Sequence, residues 1–311
     1  MVTRVSTAGN YSAILANLMA AENRQVDAEN RVSSTKNGND LKAFANQAET
    51  LTAMKSVDAR ITNYQSQNTL IAAKLTTQDQ ALTSVANAAT NVRQAIANAL
   101  ASGDADTLMQ VVQGQFQTAV SSLNTQYDGH FLFAGGQINT KPVTATQLSD
   151  LTAGPPISSF FQNDNLKVQT KLDDSTTVTT GQLASDIGTP MMAAFQALQA
   201  FDQGGSGPLN GKLTAAQETF LTTQMNNWAG IATNITTQAA QNGLVQKQVD
   251  DVASSLVGQQ ITLTSMIGHI TDADMAKAAT DLSNAQLSVQ ASARVLQALQ
   301  SSSLLTLLPA Q

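Results

Sequence analysis

TDADMAKAATDLSNAQLSVQASARVLQALQSSSLLTLL, residues 271–308, repeats its apolar side chains every seven positions. Met275, Leu282, Val289 and Leu296 share one heptad position, and Ala278, Ala285, Ser292 and Leu299 share the other. Such an a/d seam calls for a partner helix along its length. Thr271 with Asp274 three residues later predicts a capping box at the start of this helix. Past Asp274 the charged side chains are Lys277, Asp281 and Arg294 alone, and the outer face is Ser, Gln and Thr. A helix facing water normally carries charge there. The run Leu304, Leu305, Leu307, Leu308 adds an apolar end, so the stretch is expected to be enclosed by neighbours.

Working outward, a second seam spans Leu41–Ser102 without Pro or Gly. Met54, Ile61, Asn68, Leu75, Leu82, Ala89 and Ile96 lie at one position, Val57, Tyr64, Ile71, Val85 and Val92 at the other. A single helix of roughly 90 Å is predicted, with Asn68 fixing register at some cost in stability. A third seam returns after Lys212 through Leu221, Trp228, Ile235, Asn242, Val249, Leu256, Leu263 and Ile270, with Met266 on its second position. The expected rod core is therefore Met54, Ile61, Leu75, Leu82, Ile96, Trp228, Ile235, Val249, Leu256 and Leu263. Near the start, Tyr11, Ile14, Leu15, Leu18 and Met19 give a helical stripe running to about Val32, and SSTKNGND at 33–40 reads as a break with Asp40 as a cap. Asp128-Gly129 ends a shorter helix that carries Leu108, Val112 and Phe116, and His130–Ala134 reads as a strand.

Residues 138–189 differ in texture, with Pro142, Pro155 and Pro156, alternating Leu166/Val168 and a Thr-rich run. They predict a small β-rich insert, followed by a short helix over Met191–Phe201. The fold class is mainly α: a long antiparallel coiled-coil rod with both termini at one end and the insert at its tip. The divisions expected are 1–40 and 271–311 as terminal helices, 41–137 and 190–270 as the two rod halves, and 138–189 as the insert.

The 311 residues include no Cys, two His and one Trp, and carry a formal charge of −6. Without Cys there are no disulfides, thiolate nucleophiles or sulfur-bound metals. An acidic chain without a basic run argues against nucleic acid or anionic membrane as a partner, and no apolar stretch is long enough to span a bilayer. Residues 1–6 show no signal-peptide core. His269 and His130 have no second His or Cys nearby and read as polar surface residues. Asp272 and Asp274 lack the glycine and distal Glu of a calcium loop, so helix capping is the reading. Ala134-Gly135-Gly136 lacks phosphate-loop spacing and reads as a turn. No catalytic set, metal or cofactor is expected.

Three patches resemble the flagellin family. Ile267-Gly-His-Ile-Thr-Asp-Ala-Asp-Met-Ala276, continuing to Leu282-Ser-Asn-Ala-Gln-Leu287 and Gln290-Ala-Ser-Ala293, is similar to its C-terminal signature. Arg31-Val-Ser-Ser34 with Lys36 and Asn37-Gly38 resembles its N-terminal turn. His130-Phe-Leu-Phe-Ala-Gly-Gly136 with Lys141-Pro142-Val143 is similar to an element typical of its hook–filament junction members. The resemblance implies a structural subunit joining hook to filament as a ring, without catalysis. It implies a homo-oligomer in a ring or helical array, contact with hook-side and filament subunits, and an export chaperone. It also implies an extracellular location reached by flagellar type III export without a cleaved signal. Subunit packing would then fall to Ile14, Leu18, Met275, Leu282, Val289, Leu296, Leu299, Leu304, Leu305, Leu307 and Leu308. The alternatives are a filament-forming flagellin or, more distantly, a secreted coiled-coil adhesin or type III tip protein. A zinc-protease insert is excluded, because 138–189 contain no His.

Overall fold

The computed structural model describes residues 2–38 and 40–305, and of residues 2–8, 10 and 301–305 it describes the backbone alone. Six α-helices carry the architecture: α1 (Val2–Ser34), α2 (Ala48–Ser102), α3 (Leu108–Leu123), α4 (Ala184–Gln203), α5 (Ala215–Thr271) and α6 (Met275–Leu305). The β-structure is two antiparallel two-stranded ribbons, β1 (Gln126–Tyr127) with β2 (His130–Phe131), and β3 (Gln169–Lys171) with β4 (Thr177–Thr179). The chain is thus mainly α with long helices and small sheets. It divides into two compact units, one of residues 1–60 with 258–311 and one of residues 61–257, the division falling inside α2 and α5.

In the 61–257 unit the heptad positions of α2 and α5 are the core. Leu75, Leu82, Val85, Ala89, Val92 and Ile96 have no exposed surface, and neither do Leu221 and Trp228. Helices α3 and α4 widen this two-helix seam into a bundle. Phe195 packs edge-on between Phe116, at 5.3 Å, and Trp228, at 4.7 Å between ring centroids. Such pairs add to the area they bury, which is why the widest part of the core holds the aromatics. Residues 138–189, expected as an insert, contribute Val143, Leu148, Leu151 and Ile187 to this same core. The β3–β4 ribbon closes a smaller cluster in which Leu172 and Val178 meet Ile71, Leu75 and Val249.

Buried amides punctuate the α2–α5 seam. Gln78 Nε2 donates to Asn242 Oδ1 at 3.1 Å, and Asn242 Nδ2 donates to the Leu75 carbonyl at 3.0 Å. Gln246 Nε2 reaches the same carbonyl at 2.9 Å. These bonds align the two helices, since a slip of one turn would strand each amide. Asn68, expected to hold register, instead donates to the Leu172 carbonyl at 3.1 Å and anchors the β3–β4 ribbon.

Local chemistry sets the breaks. Gly103 ends α2 at φ 70°, the left-handed conformation that glycine adopts without a Cβ penalty. Asp128 and Gly129 both have positive φ, 51° and 77°, and form the two-residue turn that joins β1 to β2. Three boundaries differ from those predicted, the first being the end of α3, at Leu123 and not at Asp128. Leu41–Gln47 is a 3-10 helix kinked at Phe44 (φ −114°, ψ 30°), so the long helix starts at Ala48. Asp40 does cap that short helix, accepting from Ala43 N at 3.1 Å. Helix α4 begins at Ala184 and takes Pro190 into its second turn.

Candidate assembly interface

The terminal helices form an antiparallel pair inside the first unit, built from a seam of small side chains. Helices α1 and α6 pack together, with Ala21, Ala28, Ala278 and Ala285 buried between them. On α1 the inward positions are Ile14, Leu18, Ala21, Gln25, Ala28 and Val32, and on α6 they are Ala278, Leu282, Ala285, Val289, Ser292, Leu296 and Leu299. Both sets step alternately by three and four residues, the spacing of a coiled-coil seam. Alanine at its centre lets the backbones approach closely.

A lock of polar contacts holds the end where α1 stops and α6 starts. The Lys36 ammonium pairs with the Asp272 carboxylate and also donates to the Thr271 hydroxyl at 3.3 Å. Asn37 N donates to the Thr271 carbonyl at 2.8 Å, and Ala273 N to the Thr35 carbonyl at 2.9 Å. Asn37 Nδ2 adds a bond to the Asp272 carbonyl at 2.8 Å. Thr35 has φ 58°, a left-handed turn for a residue with a branched Cβ, and it allows the chain to leave α1 toward Asp272. The Asp272 carboxyl is held below its ordinary value, chiefly by the Lys36 hydrogen bond and then by the Thr271 hydroxyl. Asp274 caps α6 alone, accepting from Ala276 N at 3.0 Å and Lys277 N at 3.1 Å. Thr271, expected to share in a capping box, closes α5 instead and donates its hydroxyl to Asp272 at 3.0 Å.

Six of the positions predicted for subunit packing face a helix of their own chain. Ile14, Leu18, Leu282, Val289, Leu296 and Leu299 are half-buried in the pair, while Met275 remains 42% exposed. Side chains of Leu304 and Leu305, and all of Leu307 and Leu308, lie outside the described residues. The sequence places Tyr11, Leu15 and Met19 in one stripe with Ile14 and Leu18 and does not separate the face that stays open. Tyr11, Leu15, Met19 and Val26 are 43%, 37%, 56% and 53% exposed. At about 100° per residue they form one stripe on α1, roughly a quarter-turn from the seam. Their spacing of four, four and seven was the available signal, masked because Ile14 and Leu18 shared the same stretch. On α6, Leu287 and Val295 are exposed as well.

Of the predicted rod core, Ile61, Leu75, Leu82, Ile96, Trp228, Ile235, Val249 and Leu256 are buried. Met54 and Leu263, both in the first unit, are half-buried, and Met266 on the same seam is 47% exposed. Ala134–Gly136 is a turn already filled by an internal carboxylate: Asp164 Oδ1 accepts from Gly136 N at 2.9 Å and from Leu166 N at 3.0 Å. His130 Nδ1 lies 3.0 Å from Asn139 Oδ1. Among the described residues no cluster of His, Asp or Glu is arranged to hold a metal, and no helix is long and apolar enough to cross a membrane.

The stretch holding α6 and most of α5 has a counterpart elsewhere. Residues 225–308 match the bacterial flagellin C-terminal helical region. This flagellin-type region contains the Thr271–Asp274 lock and the whole α6 half of the seam. Two solved structures share the fold. A flagellar hook-associated protein from Vibrio parahaemolyticus superposes with a TM-score of 0.58 at 15% identity, covering 71% of this chain and 96% of its own. FlgL from Bacillus cereus gives a TM-score of 0.53 at 15% identity, covering 70% of this chain and 99% of its own. No curated protein sequence matches the chain. The flagellin-type region and the shared fold bear out the resemblance read from the sequence.

Proposed function

We propose that the protein is a structural subunit of the bacterial flagellum that joins hook to filament as a ring of identical copies, and catalyses no reaction. The observation that carries this reading is the terminal pair. Its seam is filled from within the chain, yet α1 keeps Tyr11, Leu15, Met19 and Val26 exposed in one stripe. An apolar stripe beside a satisfied seam suits contact with the next copy. The flagellin-type C-terminal region and the fold shared with hook-associated proteins support placing that contact in the flagellum, and at the junction rather than along the filament. The partners are then further copies, hook-side and filament subunits, and a chaperone that covers the apolar ends before type III export. Neither nucleic acid nor membrane is engaged, and the mature protein is extracellular.

Electron microscopy of negatively stained flagella from a deletion strain tests the assignment. Hooks without filaments, with unpolymerised flagellin in the medium, are expected, and the full-length chain should restore filaments. Normal filaments in the deletion strain would refute it. Loss of the filament subunit itself, with this protein forming the filament in the parent strain, would make it a flagellin instead.

A further inference from the structure

Asn-Gly occurs three times in the chain, at 37–38, 210–211 and 242–243. The pair is chemically fragile, because a glycine amide has no side chain to hinder its attack on the asparagine carboxamide before it. The three copies sit in different surroundings. Asn242 is 2% exposed inside α5, with Nδ2 donating to the Leu75 carbonyl and Oδ1 accepting from Gln78. Asn210 is exposed, but the Gly211 N–H donates to Asp106 Oδ1 at 2.7 Å, and a carboxylate there opposes loss of the proton. Asn37 is exposed and lies outside any helix, and the Gly38 N–H that follows it has no hydrogen bond among the described residues. The Asn37 side chain is tied by one bond, from Nδ2 to the Asp272 carbonyl at 2.8 Å. A single bond of this kind slows a reaction without preventing it.

We infer that Asn37 is a site of spontaneous deamidation, and that its conversion opens the lock between the end of α1 and the start of α6. Gly38 N gives its proton to solvent hydroxide and bonds to Asn37 Cγ. The Cγ–Nδ2 bond then breaks, ammonia leaves, and a succinimide ring closes. Water opens either carbonyl of the ring, giving aspartate at 37 or an isoaspartate whose main chain runs through the former side chain. One water is consumed and one ammonia released, so no other reactant is needed. Neither product can remake the lock. A carboxylate has no proton for the Asp272 carbonyl, and it brings a like charge to the residue whose carboxylate pairs with Lys36. The isoaspartate also inserts a methylene into the backbone just after the Asn37 N–H, which donates to the Thr271 carbonyl at 2.8 Å. None of this depends on where the protein acts.

The test is incubation of the full-length chain in mildly alkaline buffer made with 18O-water, followed by peptide mapping with tandem mass spectrometry. Label is expected at Asn37 about tenfold or more faster than at Asn210, the factor for releasing one hydrogen bond to a charged acceptor, and not at Asn242. No label at Asn37, or equal or faster labelling at Asn210, would overturn the inference. Asn37→Asp installs one product directly and tests the consequence. Exchange of the Ala273 amide, which donates to the Thr35 carbonyl across the lock, should then quicken by about tenfold or more, with exchange in the 61–257 unit unchanged. Asn210→Asp is the control and should leave the Ala273 amide as it was. Unchanged protection of Ala273 in Asn37→Asp would show that the lock survives the conversion and would overturn that half of the inference.

Discussion

At the scale of single residues, two positions are set by geometry that composition conceals. Gly188 lies inside α4, where alanine would ordinarily stabilise a helix by up to about 1 kcal/mol. A Cβ there would sit 2.8 Å from Phe161 Cε1 and 2.9 Å from Leu123 Cδ1, both closer than carbon atoms approach. Overpacking should win, and Gly188→Ala is expected to destabilise the 61–257 unit by about 1–3 kcal/mol in urea denaturation. An unchanged or raised midpoint would show that Phe161 moves aside freely. Asp272 makes the second case, through protons. Its carboxyl titrates below the ordinary Asp value, so its contribution is complete above that ordinary value and is lost as pH falls through the lower folded one. The Lys36–Asp272 lock should therefore hold at neutral pH and open only in acid below the ordinary Asp range. Amide exchange at Asn37 and Ala273 followed against pH checks this. In Lys36→Met the acid dependence at these amides should shift up toward the ordinary Asp range. Neither the clash at Gly188 nor the lock at Lys36 could be read from the sequence, because each depends on residues far away in the chain.

At the scale of elements, a heptad states which face of a helix is covered but not what covers it. The periods through Leu75–Ile96, Leu221–Leu256 and Leu282–Leu299 identified the inward faces of α2, α5 and α6 correctly. The partner of α6 within the chain, α1, was not legible, because α1 carries its half of the seam largely as Ala21, Gln25 and Ala28, residues too small or too polar to stand out in a hydrophobic count. Pro190 hid the first two turns of α4, residues 184–190: it is the seventh residue of the helix, where a proline gives up one N–H bond, and the burial of Ile187, Met191, Met192 and Phe195 on the same helix outweighs that loss. The α1–α6 pairing changes which substitution isolates assembly. Val289→Asp would damage the chain's own α1–α6 seam. Met19→Asp and Val26→Asp instead lie on the exposed stripe, and should change the stability of the isolated chain by no more than about 0.5 kcal/mol. Both variants are expected to be exported and to leave hooks bare, while normal filaments would show that the stripe is not a subunit contact. The amide layer in α2 and α5 makes another prediction. Asn242→Leu strands the Gln78 amide, while the Leu75 carbonyl keeps its bond from Gln246, for a loss of about 1–3 kcal/mol, and adding Gln78→Leu should recover much of it at the expense of a single helix register. Equal losses in the single and double variants, measured by denaturation, would mean that the amides are not coupled.

At the scale of the whole molecule, burial is unevenly divided. The 61–257 unit holds Trp228, Phe116, Phe133 and Phe195 with essentially no exposed surface. In the unit of residues 1–60 and 258–311, the described buried apolar residues are Leu51 and the four seam alanines. Area removed from water is the main stabilising quantity, so the unit of residues 1–60 and 258–311 should be much the weaker. Scanning calorimetry of the isolated chain is expected to show two transitions, and limited proteolysis should remove α1 and α6 before cutting α3 or α4. One sharp transition, with uniform resistance to protease, would contradict this. Trp228 has a further consequence. It is the chain's one tryptophan, it packs against Phe195, and its Nε1 has no hydrogen-bond partner. An indole held dry and unbonded emits at short wavelength and is closed to iodide quenching. The chain thus carries an intrinsic optical gauge of its bundle core, one that should stay dark to events at the terminal helices and shift red only when the aromatic cluster opens.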